Sequence, residues 1–380
     1  MGRMQANPLW PVKTRFPKLD HDISLDVVVV GGGMAGISCA YHLNKKGHKV
    51  ALLERAEVGG AASGASSGVL YYGSGTNYAP AVQLFGEGRA RTLWNETAKV
   101  IDELARVAEV NQIDCGLRRC GSIMVARTED DVRSIEDEAT QLRDAGIETR
   151  ILAADEVRSY FPLKSFMAGI TYDAVNQVHP ARLASGLARI HGPQIYENSP
   201  ATEWNSGDGG VVVKTPDATV KCAEAIIATN NQPYFGLDSY FDVESSVILA
   251  SQPTSRVSEA FPEEKILWTM DDKYDIVYPR DDRLVLELYE LGEEEAKLND
   301  YYPGLDFKIE QQWGDIWAKP KDWFPIVGKV SKNVAVAIGM GDQGIIMSWL
   351  TGKNIADILE GRKSWFSDMA SPNRFKVGMR

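Results

Sequence analysis

A chain of 380 residues, 44% of them hydrophobic, is long enough to bury a sizeable core and to hold two or three domains, or two intertwined ones. Its 52 acidic residues against 41 basic ones leave a net charge of -11, the wrong sign for tracking a nucleic-acid backbone or an anionic lipid surface. No positively charged segment followed by an apolar run opens the chain, and no apolar stretch is long enough to span a bilayer, so a cytoplasmic protein without a membrane span is expected.

Residues 1–23 carry Pro8, Pro11, Pro17 and Trp10 with no helical or alternating period, which predicts an extended arm lying on the surface. From Ser24 the pattern becomes strand, glycine turn, helix and strand: Asp26 to Val30, then Gly36 to Lys46, then Lys49 to Glu54. That is one βαβ unit. Amphipathic helical patterns follow at about 83–110 and 129–145, with "GSIMVAR" between them and "IETRIL" after them as strands. "HPARLASGLARI" reads as a short helix, while "GGVVVKT" and "TVKCAEAIIATN" read as strands. Residues 240–320 are strand-rich around an acidic turn at "LGEEEAKLND", and the final segment returns to strand then helix. No internal repeat breaks this order. The pattern predicts an α/β chain whose dinucleotide domain is assembled from separated segments, with a second domain inserted.

Each glycine of "VVVVGGGMAG" that fits the motif has a mechanical role. Gly31 makes the tight turn, Gly33 admits a pyrophosphate close to the backbone, and Gly36 lets helix pack on strand. Glu54 ends the second strand at the spacing that places a carboxylate on a ribose diol, which favours FAD or NAD over NADP. The loop "RAEVGGAASGASSGVLYYGSG" supplies backbone amides and the hydroxyls of Ser63, Ser66 and Ser67, enough to wrap a second phosphate and a ribityl chain, so FAD is the better match. "AIGMGDQG", at Gly339, Gly341 and Gly344, repeats the glycine spelling, but its helix is followed by no strand ending in an acid. A second dinucleotide is therefore not expected there.

Together with these two motifs, "HPARLASGLA", "AIIATN" and "WGDIWAKPKDWFPIVG" resemble the FAD-dependent amino acid and amine oxidases of the D-amino acid oxidase, glycine oxidase and sarcosine oxidase type. Within that family the likeness is greatest to the gamma-glutamylputrescine oxidoreductase type. The resemblance implies a discontinuous Rossmann-like FAD domain (24–110, 165–235 and 325–370) and a mostly antiparallel β-sheet substrate domain with helices (111–164 and 236–324). It implies non-covalent FAD, because no cysteine follows Cys222. Carried over residue by residue, the cofactor contacts are Gly31, Gly33, Met34, Ala35, Gly36, Glu54, Arg55, Ala62, Ser63, Ser66, Ser67, Gly68 and Ala201. The late turn, Gly339, Gly341, Asp342, Gln343, Gly344 and Ile345, would lie beside the reactive ring, its helix N-terminus favouring negative charge there. Asp342 and Gln343 stand where the family commonly has Gly-His-Gly.

The implied activity is oxidation of a CH–NH bond in an amine or amino acid, with hydride passing to flavin N5 and electrons leaving to oxygen, a quinone or a redox partner protein. Tyr278, Arg280, Glu287 and Lys319 are the candidate substrate contacts, with Glu287 and Leu288 replacing a glycine pair and Lys319 replacing a carboxylate-clamping arginine. That replacement favours an amine or a modified amino acid. The five histidines (His21, His42, His48, His179 and His191) lie outside the late segments, so none is expected to act as acid or base. Cys39, Cys115, Cys120 and Cys222 match no zinc spacing, so reduced thiols and no metal are expected. Two other readings are a flavoprotein subunit of a hetero-oligomeric dye-linked dehydrogenase and a flavin-dependent RNA-modifying enzyme, the latter opposed by the net charge.

Overall fold

The structure, a computed structural model, describes residues 8–10, 14–162, 165–190, 192–231, 236–270, 274–288, 296, 299 and 307–375. His191, and the acidic turn at 291–300 apart from Ala296 and Asn299, lie outside them.

One sheet is parallel at its centre. Gln194–Tyr196, Val50–Leu53, Ile23–Val30, Thr219–Ile227 and Val334–Ile338 lie side by side in that order. Ile326–Lys329 adds an antiparallel edge, and the hairpin Glu203–Gly207/Gly210–Lys214 pairs with the start of Thr219–Ile227. The run Val27 to Val30 is continuous because both faces are covered: Val27 and Val29 pack into one hydrophobic cluster, Val28 and Val30 into another. The helix Met34–Lys45 connects the first two strands, and the late helix Gly344–Leu359 crosses it where Gly352 meets Ser38, a Cβ there falling 2.1 Å from the Ser38 Oγ. Only glycine permits that approach.

The second sheet has eight strands in the order Ile309–Pro320, Phe241–Ser251, Arg283–Leu288, Ile276–Arg280, Ile266–Thr269, Ser122–Ala126, Ala168–Tyr172 and Ile151–Ala153. It is antiparallel except where Ile266–Thr269 meets Ser122–Ala126. Ala168–Tyr172 falls within the 165–235 segment expected in the cofactor domain, yet it pairs with Ser122–Ala126 in this sheet. A small third sheet joins Val69–Leu70, Asn176–Gln177 and Arg118–Arg119. The helical pattern expected over 83–110 is broken at Gly86, whose φ of 81° is outside the helical region, into Tyr78–Phe85 and Glu87–Val110. Among the described residues no helix is long and apolar enough to cross a membrane.

Of the arm, residues 8–10 and 14–23 are described, and parts of them are tied into the fold instead of lying on the surface as the sequence suggested; Pro11 lies outside the described residues. Trp10 is buried, edge-on to Trp313 at 5.5 Å between centroids, and its indole N–H donates to the Gly64 carbonyl at 3.2 Å. Thr14 and Phe16 both donate to the Glu197 carboxylate, and Leu19 N–H donates to Ser199 Oγ at 2.9 Å. Burying an indole removes a large apolar surface from water, a driving force that needs no sequence period.

Candidate active site

The two glycine turns open into one cleft of about 1720 Å³, its solvent-filled mouth included. From the first come Gly31, Gly32, Gly33, Met34 and Ala35; from the second, Met340, Gly341, Asp342, Gln343, Gly344 and Ile345. Gly31 adopts φ 114°, and a Cβ there would stand 2.3 Å from the Ala228 carbonyl oxygen. At Gly36 a Cβ would stand 1.9 Å from the Gly31 oxygen, so this residue packs helix on strand and does not line the cleft. Glu54 does line it, with Oε2 accepting from Gly32 N–H at 2.7 Å and Oε1 from Ala56 N–H at 2.8 Å. Each oxygen keeps a further lone pair for a ligand hydroxyl. Arg55, Ala62, Ser63, Ser66, Ser67 and Ala201 also line the cleft, and Ser63 Oγ accepts from Met34 N–H at 2.8 Å. Two further expected contacts, besides Gly36, stand apart from the lining. Gly68, at φ 77°, abuts the Val178 carbonyl, and Gly339, at φ 65°, abuts Pro320; both serve tight turns.

At the far end of the cleft Glu287 and Asp342 share the lining with Tyr71, Trp317 and Gln343. Glu287 is 7% exposed and accepts from Ser246 Oγ at 2.9 Å. Burial first, then the charge of Asp342, raises its carboxyl to about 7. Asp342 accepts from the hydroxyls of Tyr71 and Tyr274, the latter at 2.5 Å. The other three substrate candidates are not in the lining. Tyr278 is buried behind it and donates to the Ser67 carbonyl at 2.5 Å, which braces the loop wall. Arg280 is buried deeper, donating to the Gly116 carbonyl at 2.6 Å, and burial lowers its pKa. Lys319 points to Glu244 at 3.2 Å and sits over the Trp323 ring. It makes no part of the cleft.

Residues 26–358 match the family model described as FAD dependent oxidoreductase, abbreviated DAO. The chain belongs to that family. It is 27% identical to the gamma-glutamylputrescine oxidoreductase of Escherichia coli strain K12, over 94% of this chain and 88% of that one. It is 28% identical to the glycine oxidase of Bacillus licheniformis, over 88% and 93%. The solved L-proline dehydrogenase of P. horikoshii superposes with a TM-score of 0.75 over 96% and 99% of the two chains, at 17% identity, a likeness of fold.

Membership makes the chain an FAD-dependent oxidoreductase of the amine and amino acid oxidase type, and the cleft's own atoms fit that cofactor. Ser66 Oγ, Thr229 Oγ1 and Gln343 Oε1 are buried without a hydrogen-bond partner among the described residues, and all three belong to lining residues. Nothing lies within 4 Å of a Cβ built at Gly341 or Gly344, so that turn leaves room for a flat ring. The first-turn amides of two helices, unpaired within their own helices, open into the same space. The Gly31–Ala35 turn, Glu54 and the serine loop would hold the dinucleotide, and Gly341 to Ile345 the ring. When bound, FAD supplies a two-electron acceptor for a hydride.

Several lining residues lay inside quoted segments without being singled out as site residues. Ala228 to Asn230 close "AIIATN" just past the strand end at Ile227, Tyr71 belongs to the serine loop, and Trp317 belongs to "WGDIWAKPKDWFPIVG". His42 and His179 are drawn by burial well below the usual histidine range, to about 3 and about 4. His179 immediately precedes the helix Pro180–Arg189 and packs at a tilt against Trp10, 5.3 Å between ring centroids. All four cysteines are free thiols.

Proposed function

We propose that this chain oxidises the CH–NH bond of an amine that enters as a cation, and that Glu287 recognises its charge. The observation carrying this reading is a buried carboxyl lining the reactive end of the cleft while the candidate cations Arg280 and Lys319 stay outside the lining. Among the described residues the only Lys or Arg in the lining is Arg55, beside Glu54 at the opposite end. An α-amino acid would bring its carboxylate next to Glu287 with no clamp, and burying a carboxylate without a partner costs several kcal/mol. A cationic amine meets the reverse situation. Glu287 holds the ammonium, Asp342 adds a second negative group, and Trp317 and Met340 offer apolar wall to an alkyl chain. A proton first leaves the ammonium nitrogen for solvent; the carbon bearing that nitrogen then gives up a hydride, the freed lone pair forms the protonated imine, and water hydrolyses it to a carbonyl compound and the released amine or ammonium. The late helix N-terminus favours the negative charge left beside it. Four free thiols fit the reducing cytoplasm in which we place the enzyme.

The test is anaerobic bleaching of the visible flavin band by matched pairs, each an α-amino acid and the amine left by its decarboxylation. The amine should reduce the flavin faster in every pair. Faster reduction by the amino acids would overturn the reading, and re-oxidation by oxygen or by a dye then assigns the acceptor.

A further inference from the structure

We infer that Glu287 holds a proton while the cleft contains no cation, and that an entering ammonium group expels it. This deepens the reading of a cationic amine substrate and rests on it. Glu287 comes from the strand Arg283–Leu288, Asp342 from the turn before the late helix, and both line one cleft, where the Glu287 side chain is buried.

Toward Glu287 the strand Phe241–Ser251 contributes the Ser246 hydroxyl, and the loop after the first βαβ unit contributes Ser67. Ile276–Arg280 contributes Tyr278, whose phenol burial keeps far from ionising. Arg280, on that same strand, spends its guanidinium on the Gly116 carbonyl and Gln177. The late turn contributes Asp342, itself held by the Tyr71 and Tyr274 hydroxyls. Hydroxyls satisfy lone pairs but cancel no charge. A buried carboxyl beside a second acidic side chain, with no cation to offset either, keeps its proton to higher pH than a free one.

An ammonium group supplies the missing positive charge. Its N–H bonds replace the proton, which leaves for solvent: R–NH3+ and Glu287–COOH give R–NH3+ paired with Glu287–COO− and one H+. Nothing is oxidised in this step. The empty site therefore carries less negative charge than its residues suggest, and binding tightens as pH rises through neutrality. A neutral ligand of the same shape gains nothing from that rise.

The probe is tert-butylammonium, which has no hydrogen on the carbon bearing nitrogen and so cannot be oxidised. Calorimetric titration of the FAD-loaded enzyme, in buffers of different ionisation enthalpy, counts the protons released. About 0.9 proton per site should leave at pH 6, about half at pH 7 and almost none at pH 8.5, with affinity rising about fivefold from pH 6 to pH 7. E287Q should release none at any pH, and D342N should release at lower pH than the parent. Binding by the parent at pH 6 with no proton release would overturn the inference, and so would release that persists in E287Q. If the probe fails to bind, the amine reading fails. The proton is then judged by infrared difference spectra of the ligand-free enzyme: a protonated-carboxyl band at pH 6 that E287Q removes supports it, and its absence refutes it.

Discussion

The Glu287 carboxyl should also be visible in stability alone. Burial and the neighbouring Asp342 raise it from 4.5 to about 7. Below pH 4.5 the group is protonated in both folded and unfolded chains and costs nothing. As pH rises past that point the unfolded chain ionises while the folded one does not, so stability is lost progressively until pH passes about 7, and the loss is level beyond it. The interval corresponds to roughly 3 kcal/mol. Gln keeps the shape and the acceptor for Ser246 without a charge, so E287Q should lie within about 1 kcal/mol of the parent at pH 5 and be about 3 kcal/mol more stable at pH 8. Over 380 residues, unfolding entropy of about 2.1 cal/mol/K per residue converts this to about 4 °C in Tm. Scanning calorimetry of the FAD-loaded, amine-free proteins from pH 5 to pH 8.5 measures it. A variant no more stable than the parent at pH 8, or a difference that does not change with pH, would show that Glu287 is ionised in the folded protein at neutrality.

Three further outcomes follow from the geometry. Lys319→Ala removes a half-exposed pair with Glu244 outside the cleft, so kcat/KM for the best amine should stay within about twofold of the parent; a loss of tenfold or more would return Lys319 to the site. Trp10→Ala empties a fully packed position and frees the Gly64 carbonyl, costing about 3–5 kcal/mol, and dialysis against cofactor-free buffer should strip FAD faster than from the parent. Gly352→Ala drives a methyl to 2.1 Å from Ser38 Oγ and 2.5 Å from its carbonyl oxygen, so the two helices must part at a cost of about 1–3 kcal/mol, read as a lower Tm.

What the sequence disclosed and what it hid divide along a physical line. The first glycine turn was legible because each of its constraints is local: at Gly31 and at Gly36 a side chain would strike backbone within a few residues or across one strand pair. The valine run was legible as a strand for the same reason. Lys319 was named only because it stands where the resembled family carries a clamping arginine; a position carried over by resemblance does not fix where a longer, flexible side chain goes, and here it reaches Glu244 outside the cleft. Trp10 gave no direction because a lone aromatic in an aperiodic segment has no period to set its face. The Tyr71, Tyr274 and Asp342 cluster joins three distant segments, and no spacing rule connects them. Its existence depends on the second sheet closing over the first.

The two glycine turns make the same point from the other side. They share a spelling, yet only the first is followed by a parallel strand, Val50–Leu53, ending at an acid; the second leads through its helix to Trp365–Ala370. Because Gly352 sits against Ser38, the two helices cross at close range, and their N-terminal ends open into one cleft from two sides. A Cβ at position 352 would widen that crossing and pull the second turn from the first. The spacing between the two turns is therefore set by a helix contact remote from both, and if they hold the two ends of the cofactor, Gly352→Ala should alter the flavin spectrum as well as the melting temperature.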